Sequence, residues 1–213
     1  MKLASFLLVI SLCLIAIFPA YSDEVFLKDL EAFREIYLDA TEGDKRKVRK
    51  AIRAAKKFSN KYRKRPLPTM YYGAALSLRG MDISLRPLDR MRETEHGLDI
   101  IDRGLRQLKR YKGDELEVAE AKLLVGFLFV NLPDSIFHRL KEGQHIIEGL
   151  LADPTLPEMP KGMQAAIYLA AATSAQKSND LKMQRHYLTL SANADPGGRS
   201  SNDARDFLKK LDE

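Results

Sequence analysis

Apolar residues in this chain recur at the spacing of an α-helix, and the breaks in that pattern return at a nearly constant interval. Phe26, Leu30, Phe33, Tyr37 and Ala40 stand at i, i+4, i+7, i+11 and i+14, which places them on one helical face. Val48, Ile52, Ala55, Ser59 and Tyr62 share a face of the next segment, and Leu98, Ile101, Leu105 and Leu108 of a later one. Strand signals are missing: β-branched residues are sparse, no run alternates polar and apolar, and no Asn-Gly or Asp-Gly turn occurs. The breaks are Glu42-Gly43-Asp44, Arg65-Pro66-Leu67-Pro68-Thr69, Ser84-Leu85-Arg86-Pro87, Tyr111-Lys112-Gly113-Asp114, Asn131-Leu132-Pro133-Asp134, a proline-rich stretch at 153–160, Ser178-Asn179-Asp180 and Asp195-Pro196-Gly197-Gly198. Proline at helix starts and glycine past helix ends is the punctuation helices require. Helix pairs are predicted to begin near Asp23, Leu67, Asp114 and Pro160, at offsets of 44, 47 and 46 residues. A two-helix hairpin cannot bury its apolar face alone, so a regular series of them must stack. The expectation is an all-α solenoid of about four hairpins. A last amphipathic helix over 202–211, with Asp203, Arg205, Asp206, Lys209 and Lys210 outward, would cap it.

The fourth unit carries a more specific pattern. Tyr168, Ala172, the turn Lys177-Ser178-Asn179-Asp180, Tyr187-Leu188 and Asp195-Pro196 resemble the tetratricopeptide (TPR) repeat, in its order of large aromatic, small residue, turn, aromatic and closing proline. Ala172 and Gln184 stand where that repeat usually has glycine and alanine. Tyr71-Tyr72-Gly73-Ala74-Ala75-Leu76, Gly97-Leu98-Asp99-Ile100-Ile101-Asp102 and Leu132-Pro133 also resemble a group of exported bacterial TPR-like proteins, over about residues 70–151. The resemblance implies a right-handed α-solenoid of TPR-like hairpins that binds a protein or peptide in a concave groove. It implies no activity.

Residues 1–22 read as an address. Met1-Lys2 precedes a charge-free run from Leu3 to Ser22, which ends in Pro19-Ala20-Tyr21-Ser22 before Asp23-Glu24. This is the pattern of a secretory signal peptide cleaved between Ser22 and Asp23. An uncleaved anchor is the competing reading, with 3–20 at the lower edge of spanning length. Leu12 before Cys13, instead of a small residue, argues against lipid attachment. Cys13 is the single cysteine. Residues 23–213, one helical-repeat domain, would therefore lack disulfides, thiolate metal sites and thiol nucleophiles. The strongest later apolar run, Leu123–Val130, is too short to span a bilayer. No Asn-x-Ser/Thr acceptor occurs either. The expected location is extracytoplasmic, in the periplasm of a bacterial envelope.

Charge is unevenly placed. Residues 45–65 hold twelve Lys or Arg and no acid, whereas the rest of 23–213 holds 22 basic against 29 acidic residues, a net −7. On a helix, Val48, Ile52, Ala55 and Ser59 fall together, and Arg46, Arg49, Arg53, Lys56, Lys57 and Asn60 fall opposite. Arg46, Arg49, Arg53, Lys56 and Lys57 are thus candidate partner-binding residues for an anionic surface: lipid headgroups, an envelope polymer or an acidic protein. A solvated face neutralised by acidic neighbours is the plainer alternative. Insertion of this helix itself into a bilayer is disfavoured, because packing needs its apolar stripe and that stripe lacks Trp and Leu. Nucleic acid is electrostatically admissible, but export removes the chain from it. Tyr71 and Tyr72 are a second candidate, as exposed tyrosines that bind a peptide in the groove. The alternative there is close helix packing, which Gly73, Ala74 and Ala75 permit.

Catalytic patterns are missing. His138, Glu142 and His145 share a helical face, but no HExxH order occurs and the two histidines would lie about 10 Å apart along a helix rising 1.5 Å per residue. No GxSxG, GxxxxGK[ST] or GxGxxG occurs. The sequence points to a non-catalytic scaffold or adaptor for another envelope protein or peptide, with no cofactor. An envelope enzyme or ligand carrier with a polar groove is the alternative.

Overall fold

The computed structural model describes residues 23–41 and 43–212; the expected signal peptide at 1–22 lies outside the described residues. All regular structure among the described residues is helical, with no strand. Helix α1 spans 23–40. It is followed by α2 (Lys45–Lys61), α3 (Pro66–Arg79), α4 (Pro87–Leu108), α5 (Glu115–Asn131), α6 (Asp134–Phe137), α7 (Leu140–Leu151), a 3₁₀ turn (Leu156–Glu158), α8 (Lys161–Lys177), α9 (Leu181–Ala194) and α10 (Arg199–Asp212). The first helices of the last three expected pairs start within a residue of the positions read from the sequence: α3 at Pro66, α5 at Glu115, α8 at Lys161. The last helix is longer than the 202–211 expected.

Each boundary has a local cause. Pro66 and Pro87 open α3 and α4 at positions where a missing N–H costs nothing. Asp114 accepts from the Glu117 N–H at 2.9 Å and Asp180 from the Met183 N–H at 2.9 Å, which satisfies donors that a helix start leaves free. Pro133 ends α5, and His138 in the left-handed region (φ 53°) separates the single turn α6 from α7.

Packing follows chain order: α3 lies on α4, α5 on α7 and α8 on α9, while α2 meets α3, α3 meets α5, α5 meets α8, and α10 closes on α8 and α9. Helix α3 is the most enclosed, with eleven of its fourteen residues buried. Its crossing with α4 is backbone-close. A Cβ added at Gly73 would lie 2.5 Å from the Gly97 carbonyl oxygen, so only glycine fits. In α8, Ala165, Ala170, Ala171 and Ala172 are buried.

Helices α1 and α2 join this body through an aromatic cluster and two carboxylates. Phe58 of α2 stacks between Phe26 (5.8 Å) and Phe33 (5.3 Å) of α1. Glu117 and Glu120, one turn apart on α5, are buried. Glu120 Oε1 accepts from Arg34 Nε of α1 at 2.8 Å and from the Tyr71 hydroxyl of α3 at 2.6 Å. Glu117 Oε2 accepts from Arg65 at 2.6 Å and from the Tyr111 hydroxyl at 2.6 Å. Burial is the largest single influence on Arg65 and works against its charge, but the Glu117 hydrogen bond together with the charges of Glu117, Tyr111 and Asp23 outweighs it and raises its pKa. Arg65 also pairs with Asp23 and lies over the Phe26 ring, 3.9 Å from its centroid.

Candidate docking surface

Helix α2 is capped by Asp44, whose Oδ1 accepts from the N–H groups of Arg46 (2.8 Å) and Lys47 (3.0 Å). Those two bonds, the one from Lys47 foremost, hold the Asp44 carboxyl below its ordinary pKa. Beyond the cap the first turn contains no acid. Cations there oppose the helix dipole, which favours negative charge at an N-terminus. Helix stability therefore does not account for this composition.

Val48, Ala51, Ala55 and Phe58 are buried against the neighbouring helices, spaced i, i+3, i+7 and i+10 as one helical stripe. The expected stripe is rotated slightly: Ile52, Ser59 and Tyr62 sit at its half-buried margin. The cause is that α2 is wedged between α1 and α3, so the stripe faces the seam between the two. Rotation leaves the opposite face unchanged. Arg46, Arg49, Lys50, Arg53, Lys56 and Lys57 are all exposed.

Ion pairs among the described residues hold the two ends of the helix. Lys45 pairs with Asp82 at 3.4 Å, and Lys61 with Asp29 at 2.5 Å. Asp29 also accepts from the Tyr62 hydroxyl at 2.7 Å, and the bonds from Lys61 and Tyr62 lower its pKa. Among the described residues, the charged side-chain group of none of the six exposed cations Arg46, Arg49, Lys50, Arg53, Lys56 and Lys57 has a carboxylate within 4.0 Å. Five of them are the residues singled out from the sequence: Arg46, Arg49, Arg53, Lys56 and Lys57.

For Tyr71 the expected exposure is corrected. Tyr71 is 6% exposed, its ring packs edge-on against Phe33 (5.0 Å) and Tyr37 (5.1 Å), and its hydroxyl is taken by Glu120. Burial, with the adjacent Glu120 charge, raises its pKa well above the ordinary value. Enclosure of α3 by α2, α4 and α5 puts Tyr71 in the core, where no peptide reaches it. Tyr72 is half-buried and packs on the same cluster.

His138 is exposed, and Glu142 of the histidine face is paired with Arg139 at 2.6 Å. No group of three potential metal-binding side chains converges among the described residues. Glu117 and Glu120 were not anticipated. Their signal is two acids one turn apart in a helix whose other residues, Glu115, Lys122 and Asn131 apart, are apolar, so that burying the helix takes the acids in with partners. No protein-family model, curated protein or solved structure matches this chain; what it does is read from the charges and packing of its own surface.

Proposed function

We propose that this chain is a non-catalytic scaffold or adaptor of the bacterial cell envelope, built as a right-handed solenoid of TPR-like hairpins, that docks to an anionic partner through the outer face of α2. One observation carries the reading: six exposed cations in twelve residues, without carboxylate partners among the described residues, on a helix whose other face is consumed by packing. A solvated face would be neutralised along its length, whereas here, among the described residues, Arg46, Arg49, Lys50, Arg53, Lys56 and Lys57 have no carboxylate at ion-pair distance. Like charges this dense repel one another, and an anionic surface relieves that repulsion.

The test is cosedimentation of the full chain with phosphatidylglycerol vesicles and with an isolated envelope fraction. A variant with Arg46, Arg49, Arg53 and Lys57 changed to glutamate is run beside it. Both proteins carry residues 1–22, so a difference belongs to α2. Recovery of the wild type should fall steeply from about 0.1 M to about 1 M salt as the Debye length shrinks from about 10 Å to about 3 Å. The variant should not sediment at any salt, yet melt within a few degrees of wild type, because exposed charges each contribute only about tenths of a kcal/mol. Equal recovery of the two at low salt would remove α2 as a docking surface.

A further inference from the structure

We propose that the turn between α3 and α4 inserts into the interfacial layer of an anionic lipid bilayer, while the cations at the start of α2 rest on the headgroups beside it. This rests on the docking role given to α2 and names lipid as the anionic partner. The turn exposes Met81 at 59% and Ile83 at 87%, and the first turn of α4 exposes Leu88 at 67%. Single exposed apolar residues are ordinary. Three large ones within eight residues, including the most exposed large apolar side chain among the described residues, are a local concentration of the kind that marks interaction sites.

The backbone of the turn is closed on itself. Asp82 Oδ1 accepts from the Ser84 N–H at 2.9 Å and the Ser84 hydroxyl at 2.6 Å, and Arg90 Nε donates to the Gly80 carbonyl at 2.7 Å. Its polar groups are satisfied locally, so lowering the tip out of bulk water strands few of them. The one acid at the tip, Asp82, is also paired with Lys45.

That ion pair fixes the turn beside α2. Leu78, at the end of α3, packs in one cluster with Val48 and Ala51, so the turn emerges at the end of α2 that carries Arg46, Arg49 and Lys50. Arg92 of α4 is exposed, as is Arg86 just before that helix, with a side chain 84% exposed. The acids Asp89 and Glu93 are held by Arg86 (2.7 Å) and Arg79 (3.3 Å). An apolar tip flanked by cations complements hydrocarbon beneath negative headgroups. A soluble acidic polymer would use the cations and leave Ile83 in water. An apolar protein groove would use Ile83 and leave the cations unmatched. The apolar stripe of α2 is spent on packing, and the neighbouring turn supplies apolar side chains left exposed among the described residues.

The test uses the full chain with Cys13→Ser and an environment-sensitive fluorophore on Ile83→Cys. A second labelled chain carries Leu181→Cys, 67% exposed at the start of α9, as the control. Each is titrated with phosphatidylcholine vesicles and with equimolar phosphatidylcholine and phosphatidylglycerol. The probe reports its own surroundings, so attachment through any other part of the chain leaves it in water. The expected result is a blue shift at 83 on the anionic vesicles alone, none at 181, and loss of the shift near 1 M salt, where the Debye length is about 3 Å. Ile83→Asp in the unlabelled chain should weaken partition roughly tenfold to hundredfold, the value of burying one such side chain. If 83 stays in water while vesicle recovery still depends on α2, insertion is overturned and α2 docking stands. Equal shifts at 83 and 181 overturn it as well, as does a shift that rises with protein concentration without vesicles, which would mean a second copy covers the turn. Recovery that ignores the fourfold α2 change removes the docking role itself.

Discussion

Arg34→Met tests how the first helix is held on the body. In the folded chain Arg34 donates through Nε to Glu120 Oε1 at 2.8 Å and pairs with Oε2 through its terminal nitrogen, and Tyr71 donates to the same carboxylate at 2.6 Å. The Glu120 side chain is 12% exposed and that of Arg34 39%. Methionine keeps the aliphatic stem and removes the charge, leaving a buried carboxylate with one neutral donor. Breaking a fully buried pair costs about 3–5 kcal/mol. Solvent at the Arg34 end reduces this to roughly 2–3 kcal/mol. Tyr71→Phe should cost less, roughly 1–2 kcal/mol, because Arg34 still binds both oxygens while one bond to a charged acceptor is lost. The triple change Arg34→Met, Tyr71→Phe and Glu120→Leu should lie within about 1 kcal/mol of wild type, since an apolar replacement of a buried ion pair leaves no group uncompensated. Urea unfolding followed by far-UV circular dichroism reads all three. At about 2–4 °C per kcal/mol for a chain of this size, Arg34→Met should lower Tm by roughly 4–12 °C. A loss below about 0.5 kcal/mol would show a solvated pair and an α1 junction held by apolar packing alone. A triple variant as unstable as Arg34→Met would refute the uncompensated-charge argument.

Two glycines should respond oppositely to alanine. Gly97→Ala places a Cβ 2.5 Å from the Gly73 carbonyl oxygen and should destabilise by roughly 1–3 kcal/mol, whereas Gly149→Ala meets nothing within 4 Å inside α7 and should stabilise by roughly 0.5 kcal/mol; thermal melts that move the same way for both would contradict the close α3–α4 crossing. Acid should weaken the fold through carboxyls held low by their partners, Asp29 by Lys61 and Tyr62 and Asp153 by the Thr155 N–H and hydroxyl. Their folded pKa values lie below the ordinary 3.8, so this contribution is present above that value and fades as pH falls through the folded pKa. Melts of wild type and Asp29→Asn between pH 7 and pH 2 should converge at the acid end; a constant gap would show that Asp29 is not part of the acid response.

Local periodicity was enough to place the helices, because a helix needs only its own backbone geometry and an apolar stripe to turn inward. Phe26, Leu30, Phe33 and Ala40 are buried at the spacing that marked them. The basic face of α2 was legible for the same reason: once one stripe packs, residues opposite it must face water, and Arg46, Arg49, Arg53, Lys56 and Lys57 do. What the chain could not say for itself was which helices surround which. Tyr71 reads equally as a groove residue or a core residue until α5 brings Glu120 to its hydroxyl. Only folding brings Arg34 to Glu120 across 86 positions and Arg65 to Glu117 across 52. Met81, Ile83 and Leu88 are ordinary apolar residues in the sequence, and only the packed structure shows that they stand exposed among the described residues. Periodicity is a property of one segment, whereas burial depends on every segment that packs against it, and those neighbours are chosen by the fold as a whole.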